Sequence, residues 1–176
     1  MTLSKEEKKF WQRHFRIEKL EDIPKELPLI GGYGFGDEQD DEYFYFISIR
    51  VPIVHEIILN DSYVTDEGVK HMANFKELRL LYLRKHKEIT KNSIPFFNQM
   101  QSLQSLNITK TAITLTNLVE SLDNQSLKEV FLDSEEDEAN ILDKAFILKE
   151  RMPKCNIYLN TCFTTENDGS PILPIF

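Results

Sequence analysis

The sequence predicts an α/β fold of about five stacked strand–helix units whose strands form one parallel sheet. A short apolar pattern returns at intervals of 24 or 25 residues between Val54 and Leu159. Each apolar run is followed by a segment whose apolar residues have helical spacing. A pattern that recurs at a fixed interval of this length is typical of stacked repeats, in which neighbouring units bury a shared core. The apolar triplets that define the units are Val54, Ile57 and Leu59; Leu78, Leu81 and Leu83; Leu103, Leu106 and Ile108; Leu127, Val130 and Leu132; and Met152, Cys155 and Ile157.

Residues 1–53 predict an N-terminal cap made of a helix and a strand. Ser4 and Glu7 have the spacing of a capping box, and apolar residues follow at helical steps as far as Phe15. We expect this helix to cover one end of the stack, because the first repeat would otherwise expose its core. The repeats then occupy residues 54–160, and residues 161–176 form a C-terminal tail or cap.

Between the cap helix and the first repeat, the sequence predicts a turn, a loop and a strand. Pro24 and Pro28 indicate the turn. The glycine-rich run Gly31–Gly36 is followed by the acidic run Asp37–Glu42, whose carboxylates would repel a phosphate, so we interpret the pair as a solvated connection without bound nucleotide or calcium. The segment from Tyr43 to Val51 is rich in aromatic and β-branched residues and indicates the strand.

Threonines mark the corners where the helices of the repeats begin. Thr65, Thr90 and Thr114 each follow an apolar residue and precede a segment with helical spacing. A threonine at this position, or Asp66 beside the first of them, can cap the helix by accepting a backbone N–H. In the fourth unit the acidic run at 133–138 replaces this corner, which favours carboxylates at a helix N-terminus over a metal site.

These patterns resemble those of a known family. The Leu-x-x-Leu-x-Leu spacing and the segment Val64-Thr-Asp-Glu-Gly-Val69 resemble the leucine-rich repeats, particularly the bacterial and F-box-associated kinds with a Thr-Asp-x-Gly-Leu corner. The segment from Leu148 to Ile157 is similar to the way such arrays end. The resemblance implies a leucine-rich-repeat solenoid with a concave parallel sheet, and it implies a scaffold rather than an activity. The asparagine that the family carries after the strand is replaced in three units by Ser62, Lys87 and Thr111.

The repeat register also predicts a binding surface. Because side chains alternate along a strand, the register that buries the apolar triplets turns the residues between them toward the open, concave side. Aromatic anchors edged by polar and charged residues predict a protein-binding surface, although the anchors could instead pack on one another or lie under the C-terminal tail. The central row is Ile58, Tyr82, Asn107, Phe131 and Tyr158, and the flanking candidates are Leu80, Arg84, Glu129 and Asp133.

Composition restricts the class of function. The net charge of −8 argues against nucleic-acid binding and would suit a basic protein partner. The sequence has no apolar run long enough to span a membrane and no secretory signal at its start, so we expect a cytoplasmic protein. Cys155 and Cys162 predict neither a disulfide nor a zinc site, and the four histidines lack readable catalytic partners. We therefore expect no enzyme activity and no cofactor or metal.

Two functional classes are consistent with this picture. The first is a small cytoplasmic inhibitor or immunity-type protein, a monomer when unbound, that binds one protein partner through its concave repeat face. Its short length, its acidity and the apparent caps at both ends favour this class. The second is an adaptor or scaffold that presents a target to other machinery. An adaptor needs a second interface, for which only the first 50 residues are available.

Overall fold

The computed structural model describes residues 2–31, 39–134, 140–166 and 168–175 of the chain. Within these ranges the fold is α/β, and six parallel strands form one sheet in the same order as they occur along the chain. This confirms the predicted fold class and parallel sheet. The strands are β1 (Glu26–Gly31), β2 (Ile53–Asn60), β3 (Leu80–Arg84), β4 (Ser105–Asn107), β5 (Glu129–Leu132) and β6 (Asn156–Leu159). The helices are α1 (Lys5–Phe15), α2 (Asp41–Ser48), α3 (Asp66–Met72), α4 (Ile94–Gln99), α5 (Leu115–Ser121) and α6 (Ile141–Arg151), with short 3₁₀ helices at Leu20–Asp22 and Lys91–Ser93.

Neighbouring strands pair so that the predicted core positions lie side by side. Ile57 pairs with Leu81, and Val130 pairs with Ile157 at the other end of the sheet. The chain between Val130 and Ile157 is two residues longer than the preceding units would allow. The phase assumed for the last unit, which starts at Met152, is therefore wrong, because both Met152 and Ile157 are apolar and buried and the pattern hides the shift.

The strand predicted from Tyr43 to Val51 is instead helix α2. Asp40 caps this helix, since its Oδ1 accepts the backbone N–H of Tyr43 at 2.8 Å. The aromatic composition favours a strand, but Phe44 and Ile47 are three residues apart and both are fully buried. Spacing that places apolar side chains on one face of a helix outweighs the β propensity of the individual residues.

The strand of the N-terminal region lies earlier than predicted, at β1. Its register with β2 places Leu27 opposite Val54 and Leu29 opposite Glu56. Pro28, which indicated a turn, lies within this strand. Proline lacks a backbone N–H, and it is tolerated here because β1 is at the edge of the sheet.

Helix α1 begins with the predicted capping box. Ser4 Oγ accepts the backbone N–H of Glu7 at 3.1 Å, and Glu7 Oε2 accepts that of Ser4 at 2.9 Å. Glu7 also forms an ion pair with Arg50, which lies just beyond α2. The fully buried Trp11 anchors α1 in the core. These contacts fix α1 against the first helix of the array.

The core lies between the sheet and the helices. Leu81 and Leu106 from the strands, together with Phe97 and Leu118 from helices α4 and α5, are fully buried in one hydrophobic cluster. Helices that follow one another along the chain contact one another, from α1 to α6. The other face of the sheet therefore carries the side chains that alternate with the core residues.

A repeated carboxylate contact links the corners of successive units. Asp41 accepts the backbone N–H of Thr65 at 2.8 Å and the hydroxyl of Thr65 at 2.6 Å. Asp66 makes the same two contacts with Thr90, at the same distances, and also accepts the hydroxyl of Ser93 at 2.5 Å. Each aspartate thus holds the threonine that begins the next helix, 24 residues further along.

Gly68 allows the first of these contacts to form. Its backbone N–H donates to Asp41 Oδ1 at 2.9 Å, and a Cβ at this residue would lie 2.5 Å from that oxygen and 2.8 Å from Val64 Cγ1. The third corner has no aspartate. Thr114 instead forms a capping box with Asn117 of its own helix. The predicted helix caps at Thr65, Thr90 and Thr114 are all confirmed.

The C-terminal segment adds a backbone contact to the last strand. Ile175 N–H donates to the carbonyl of Ile157 at 2.8 Å, and Ile172 N–H donates to the carbonyl of Thr164 at 2.8 Å. The segment therefore turns back on itself and reaches β6. Most of the Gly31–Gly36 loop and most of the acidic run at 133–138 lie outside the described residues. None of the helices in the described ranges combines the length and the apolar composition required to cross a lipid bilayer.

Candidate functional site

The candidate site is the open face of the sheet, which we define as the strand side chains opposite the helix-packed core. The strand register brings the predicted central row together, because Ile58 pairs with Tyr82, Tyr82 with Asn107, and Asn107 with Phe131. Phe131 in turn pairs with Tyr158. Tyr158 is therefore in the predicted row, although it lies six residues after Met152 and not four. The flanking candidates Leu80 and Glu129 lie one row toward the amino ends of the strands, and Arg84 and Asp133 lie toward the carboxyl ends.

The two halves of the central row differ in exposure. Ile58 and Tyr82 are half-buried. Asn107, Phe131 and Tyr158 are only 3%, 4% and 7% exposed, so the expectation that the whole row faces solvent is wrong for these three. The register alone could not distinguish them, because it gives the direction of a side chain and not the space around it.

Stacking explains the burial at the last two strands. The rings of Phe131 and Tyr158 are 4.8 Å apart and nearly parallel, with an angle of 12° between their planes. Neither residue belongs to the main hydrophobic core. They form a second, smaller packed layer on the open face, so their first role is to stabilise the pairing of β5 and β6.

The first strands leave more apolar surface exposed. Leu29 of β1 is 44% exposed, and Leu80 of β3 is half-buried in the same row. In the central row, β1 contributes Gly31 opposite Ile58, so Ile58 has no neighbouring side chain on that side. The accessible apolar part of the open face is therefore at β1 to β3.

A cleft opens where the strands β3 to β6 end. Its volume is about 210 Å³, and its lining carries both charged and polar side chains. Asp133 Oδ2 accepts the backbone N–H of Lys110 at 2.6 Å, which joins two sides of the cleft. The lining residues are Arg84, Thr109, Lys110, Asp133, Asn160, Thr161 and Cys162.

Donors without acceptors lie at the cleft and beside it. Arg84 Nε is buried and has no hydrogen-bond partner, and Arg84 forms no ion pair with any residue in the described ranges. Asn107 Oδ1 accepts the backbone N–H of Thr109 at 3.1 Å and its hydroxyl at 2.8 Å, but Asn107 Nδ2 has no partner. Unpaired buried polar groups are uncommon in folded proteins and are often found at sites of function.

A buried histidine lies just below this end of the sheet. His86 is 2% exposed, and its Nε2 accepts the backbone N–H of Ser62 at 3.1 Å and contacts the Ser62 hydroxyl at 2.7 Å. Burial lowers the pKa of His86 from its ordinary value, although hydrogen bonds to the carbonyls of Leu83 and Arg84 oppose the shift. The acceptor role of Nε2 requires the neutral imidazole. This histidine therefore supports the turns after β2 and β3 and is not exposed for acid–base chemistry.

The amino-terminal half of the open face is acidic. Glu56 is exposed, and the half-buried Glu129 accepts the hydroxyl of Ser105 at 2.6 Å. The cleft at the opposite end carries Arg84 and Lys110. The open face is therefore polarised along the strands, with negative charge at their amino ends and positive charge at their carboxyl ends.

Other candidate chemistries find little support in the parts of the chain that the structure describes. Those parts contain no group of three or more histidine, cysteine or acidic side chains able to hold a metal ion. Burial raises the pKa of Cys155 to about 12, which keeps its thiol protonated and unreactive at neutral pH. Cys162 lies in the cleft and is not paired with Cys155.

Sequence reasoning missed one member of the cleft, Lys110. It follows β4 in a left-handed turn with φ of 59°, and Lys85 occupies the same kind of turn after β3 with φ of 64°. A recurring lysine 25 residues apart is the signal that could have identified these turns. Neither the family models nor the curated proteins with which the sequence was compared match it.

Proposed function

We propose that this chain is a leucine-rich-repeat solenoid that acts as a non-catalytic protein-binding module and inhibits one protein partner, as an immunity-type protein does. Three features support the solenoid: the strands follow one another in chain order, they pair in register, and the contacts of Asp41 and Asp66 recur from unit to unit. Each feature makes a unit depend mainly on its immediate neighbours, as in a repeat array.

The observation that carries the binding function is the partly exposed apolar surface at β1 to β3. Leu29, Ile58, Leu80 and Tyr82 keep part of their surface accessible while the opposite face of the same strands is fully packed. An apolar patch surrounded by polar groups is characteristic of protein interfaces. Within this patch, Tyr82 has the residue type most often found as an interface anchor.

Site-specific photocrosslinking in the native host tests this proposal. A photoreactive phenylalanine derivative at Tyr82 should capture one dominant protein, because it lies in the proposed contact surface. The same group at Glu120, an exposed residue of α5 on the helix side, serves as the control. Capture of the same proteins from both positions, or of none from Tyr82, would rule out the open face as the binding surface.

The adaptor alternative is favoured by a separate observation. Helix α6 carries Leu142 and Ile147, which are 64% and 43% exposed, and α2 carries Tyr45 and Ile49, which are each 45% exposed. These apolar side chains lie on helices and not on the open face, so they could serve a second interface. An adaptor should crosslink to different proteins from Tyr82 and from Leu142, whereas an inhibitor should crosslink only from Tyr82.

A further inference from the structure

We propose that the cleft at the carboxyl ends of the strands accepts a carboxylate side chain of the protein partner, with Arg84 as its main contact. The inference rests on the proposed function, since it assumes that the partner lies on the open face. It adds the chemistry that the partner must present at one end of that face.

Unpaired polar atoms are concentrated on the open face of three neighbouring strands. Six buried side-chain nitrogen or oxygen atoms of the described residues lack a hydrogen-bond partner, and three of them are Asn60 Oδ1, Arg84 Nε and Asn107 Nδ2. Asn60 and Arg84 are directly opposite each other on β2 and β3, and Asn107 is on β4. Two of the three atoms are donors. A ligand that satisfies them must supply acceptor oxygens.

The charges in the cleft favour an anion with a single negative charge. Arg84 and Lys110 contribute two positive charges, and Asp133 contributes one negative charge. Asp133 is already engaged, because its Oδ2 accepts the backbone N–H of Lys110. The lining side chains thus leave one excess positive charge in a chain whose net charge is −8. One carboxylate balances it, whereas a phosphate dianion would face Asp133 with a second negative charge.

The shape and donor geometry of the cleft agree with this assignment. A volume of about 210 Å³ holds the end of a side chain, and it is below the range of about 300–1,000 Å³ that small-molecule pockets usually have. The planar guanidinium group of arginine matches the two oxygens of a carboxylate, with which it often forms two parallel hydrogen bonds. The Thr109 and Thr161 hydroxyls in the lining can donate further hydrogen bonds.

The polarity of the open face then orients the partner. Its acidic side chain lies over the cleft, and the part of the partner that covers the amino ends of the strands lies over Glu56 and Glu129. Basic groups are favoured there. A partner that is basic overall and carries one exposed acidic anchor satisfies both ends.

The first test uses acetate as the probe and the full chain labelled with ¹⁵N. Acetate is added at constant ionic strength by replacing chloride, and NMR follows the Nε–H signal of Arg84 and the backbone signal of Lys110. We expect saturable shifts with acetate that disappear in Arg84→Gln, weaken in Arg84→Lys and persist in Arg79→Gln. Arg79 is an exposed arginine at the amino end of the same strand region and serves as the matched control.

Three results would overturn the assignment. One is a shift of equal size with chloride, and another is a saturable acetate shift that survives in Arg84→Gln. The third is tighter binding of inorganic phosphate than of acetate at neutral pH, which would assign the cleft to a dianion. The spectrum of each variant reports whether it is folded, and Arg84→Lys retains the charge if Arg84→Gln does not fold.

The second test separates this inference from the proposed function. Random 12-residue peptides displayed on phage are selected for binding to the protein. We expect enriched peptides to contain Asp or Glu, and changing that residue to Asn or Gln should weaken binding about tenfold to the wild type but not to Arg84→Gln. Peptides that lose binding in Tyr82→Ala yet are indifferent to Arg84→Gln would refute the carboxylate anchor and leave the open face as the binding surface. Peptides that are unaffected by both substitutions would contradict the proposed function, and the acetate titration then decides the cleft alone.

Discussion

The Asp66 carboxylate should be one of the most sensitive polar groups of the fold. It accepts three hydrogen bonds, from the Thr90 backbone at 2.8 Å, the Thr90 hydroxyl at 2.6 Å and the Ser93 hydroxyl at 2.5 Å. Replacement by alanine removes the acceptor from all three donors at once. It also frees the start of the 3₁₀ helix that leads into α4, which Thr90 caps.

The expected loss follows from the number and type of these bonds. A hydrogen bond to a charged group contributes about 1.5–3 kcal/mol when buried, but Asp66 is half-buried and the freed donors regain some contact with water. We therefore expect Asp66→Ala to lower the free energy of unfolding by about 2–3 kcal/mol, and the midpoint of thermal unfolding by about 6–9 °C for a chain of this length. Asp66→Asn retains one acceptor oxygen and should lose about half as much.

Urea unfolding followed by circular dichroism measures this effect, with Glu67→Ala as the matched control. Glu67 is the next carboxylate in the same helical turn, but it is exposed and pairs only with neighbours on its own helix. Its removal should change the stability little. If Asp66→Ala and Glu67→Ala were equally stable, the contact between units would contribute nothing and the reasoning would fail. The urea dependence of the unfolding free energy should stay unchanged, since the change is in stability and not in the surface exposed.

Three further outcomes are expected. Phe131→Ala should lower the unfolding free energy by about 3 kcal/mol, because the ring is 4% exposed and stacked, and a cost below about 1 kcal/mol in urea unfolding would contradict its packing role. In the folded protein, iodoacetamide should modify Cys162 and leave Cys155 intact in mass spectra, and equal labelling would show that Cys155 is not held in the core. Stability should fall as the pH drops below about 6.5, because an unfolded histidine binds a proton near that value whereas the lowered pKa of His86 delays protonation in the folded state. The slope should reach at most about 1.4 kcal/mol per pH unit, and His86→Gln, which retains an acceptor for Ser62, should show a smaller fall between pH 7.5 and 5.5. Identical pH dependence in the two proteins would exclude His86 as the source.

The sequence was sufficient to predict the sheet because the sheet repeats. Ile57, Leu81, Leu106 and Val130 are apolar for the same reason, namely that each lies on the core side of its strand. Repetition makes a weak local pattern significant, since one register must satisfy every unit. The helix caps at the threonine corners were predictable for the same reason, because they recur with the same period.

The predictions failed where the repetition stops. Helix α2 and strand β1 belong to a unit whose spacing to β2 differs from that of the later units, so no periodic signal marked them. In the last unit, Met152 and Cys155 are buried at 2% and 1%, and their apolar character matched the pattern although Ile157 carries the core position. A periodic search cannot distinguish an apolar residue in a helix–strand connection from one in the strand.

The candidate site was predictable in its membership and not in its environment. Alternation correctly placed Tyr82 and Phe131 in one row, but Phe131 is stacked on a neighbouring ring while Tyr82 is half-buried. That difference depends on which side chains occupy the adjacent strands and on the direction in which they lean. Lys110 was not predictable from the apolar pattern at all, because it lies in a turn outside it.

These differences move the proposed binding surface toward the beginning of the sheet. The paired rings of Phe131 and Tyr158 already satisfy each other, so a partner gains little by contacting them. Leu29 and Ile58 still have apolar surface to bury, and Arg84 still has a donor without an acceptor. Because apolar burial supplies affinity whereas a single charged pair supplies orientation, we infer that β1 to β3 provide most of the binding energy and the cleft fixes how the partner lies. A partner that lacks the acidic anchor should therefore still bind, more weakly and without a fixed orientation.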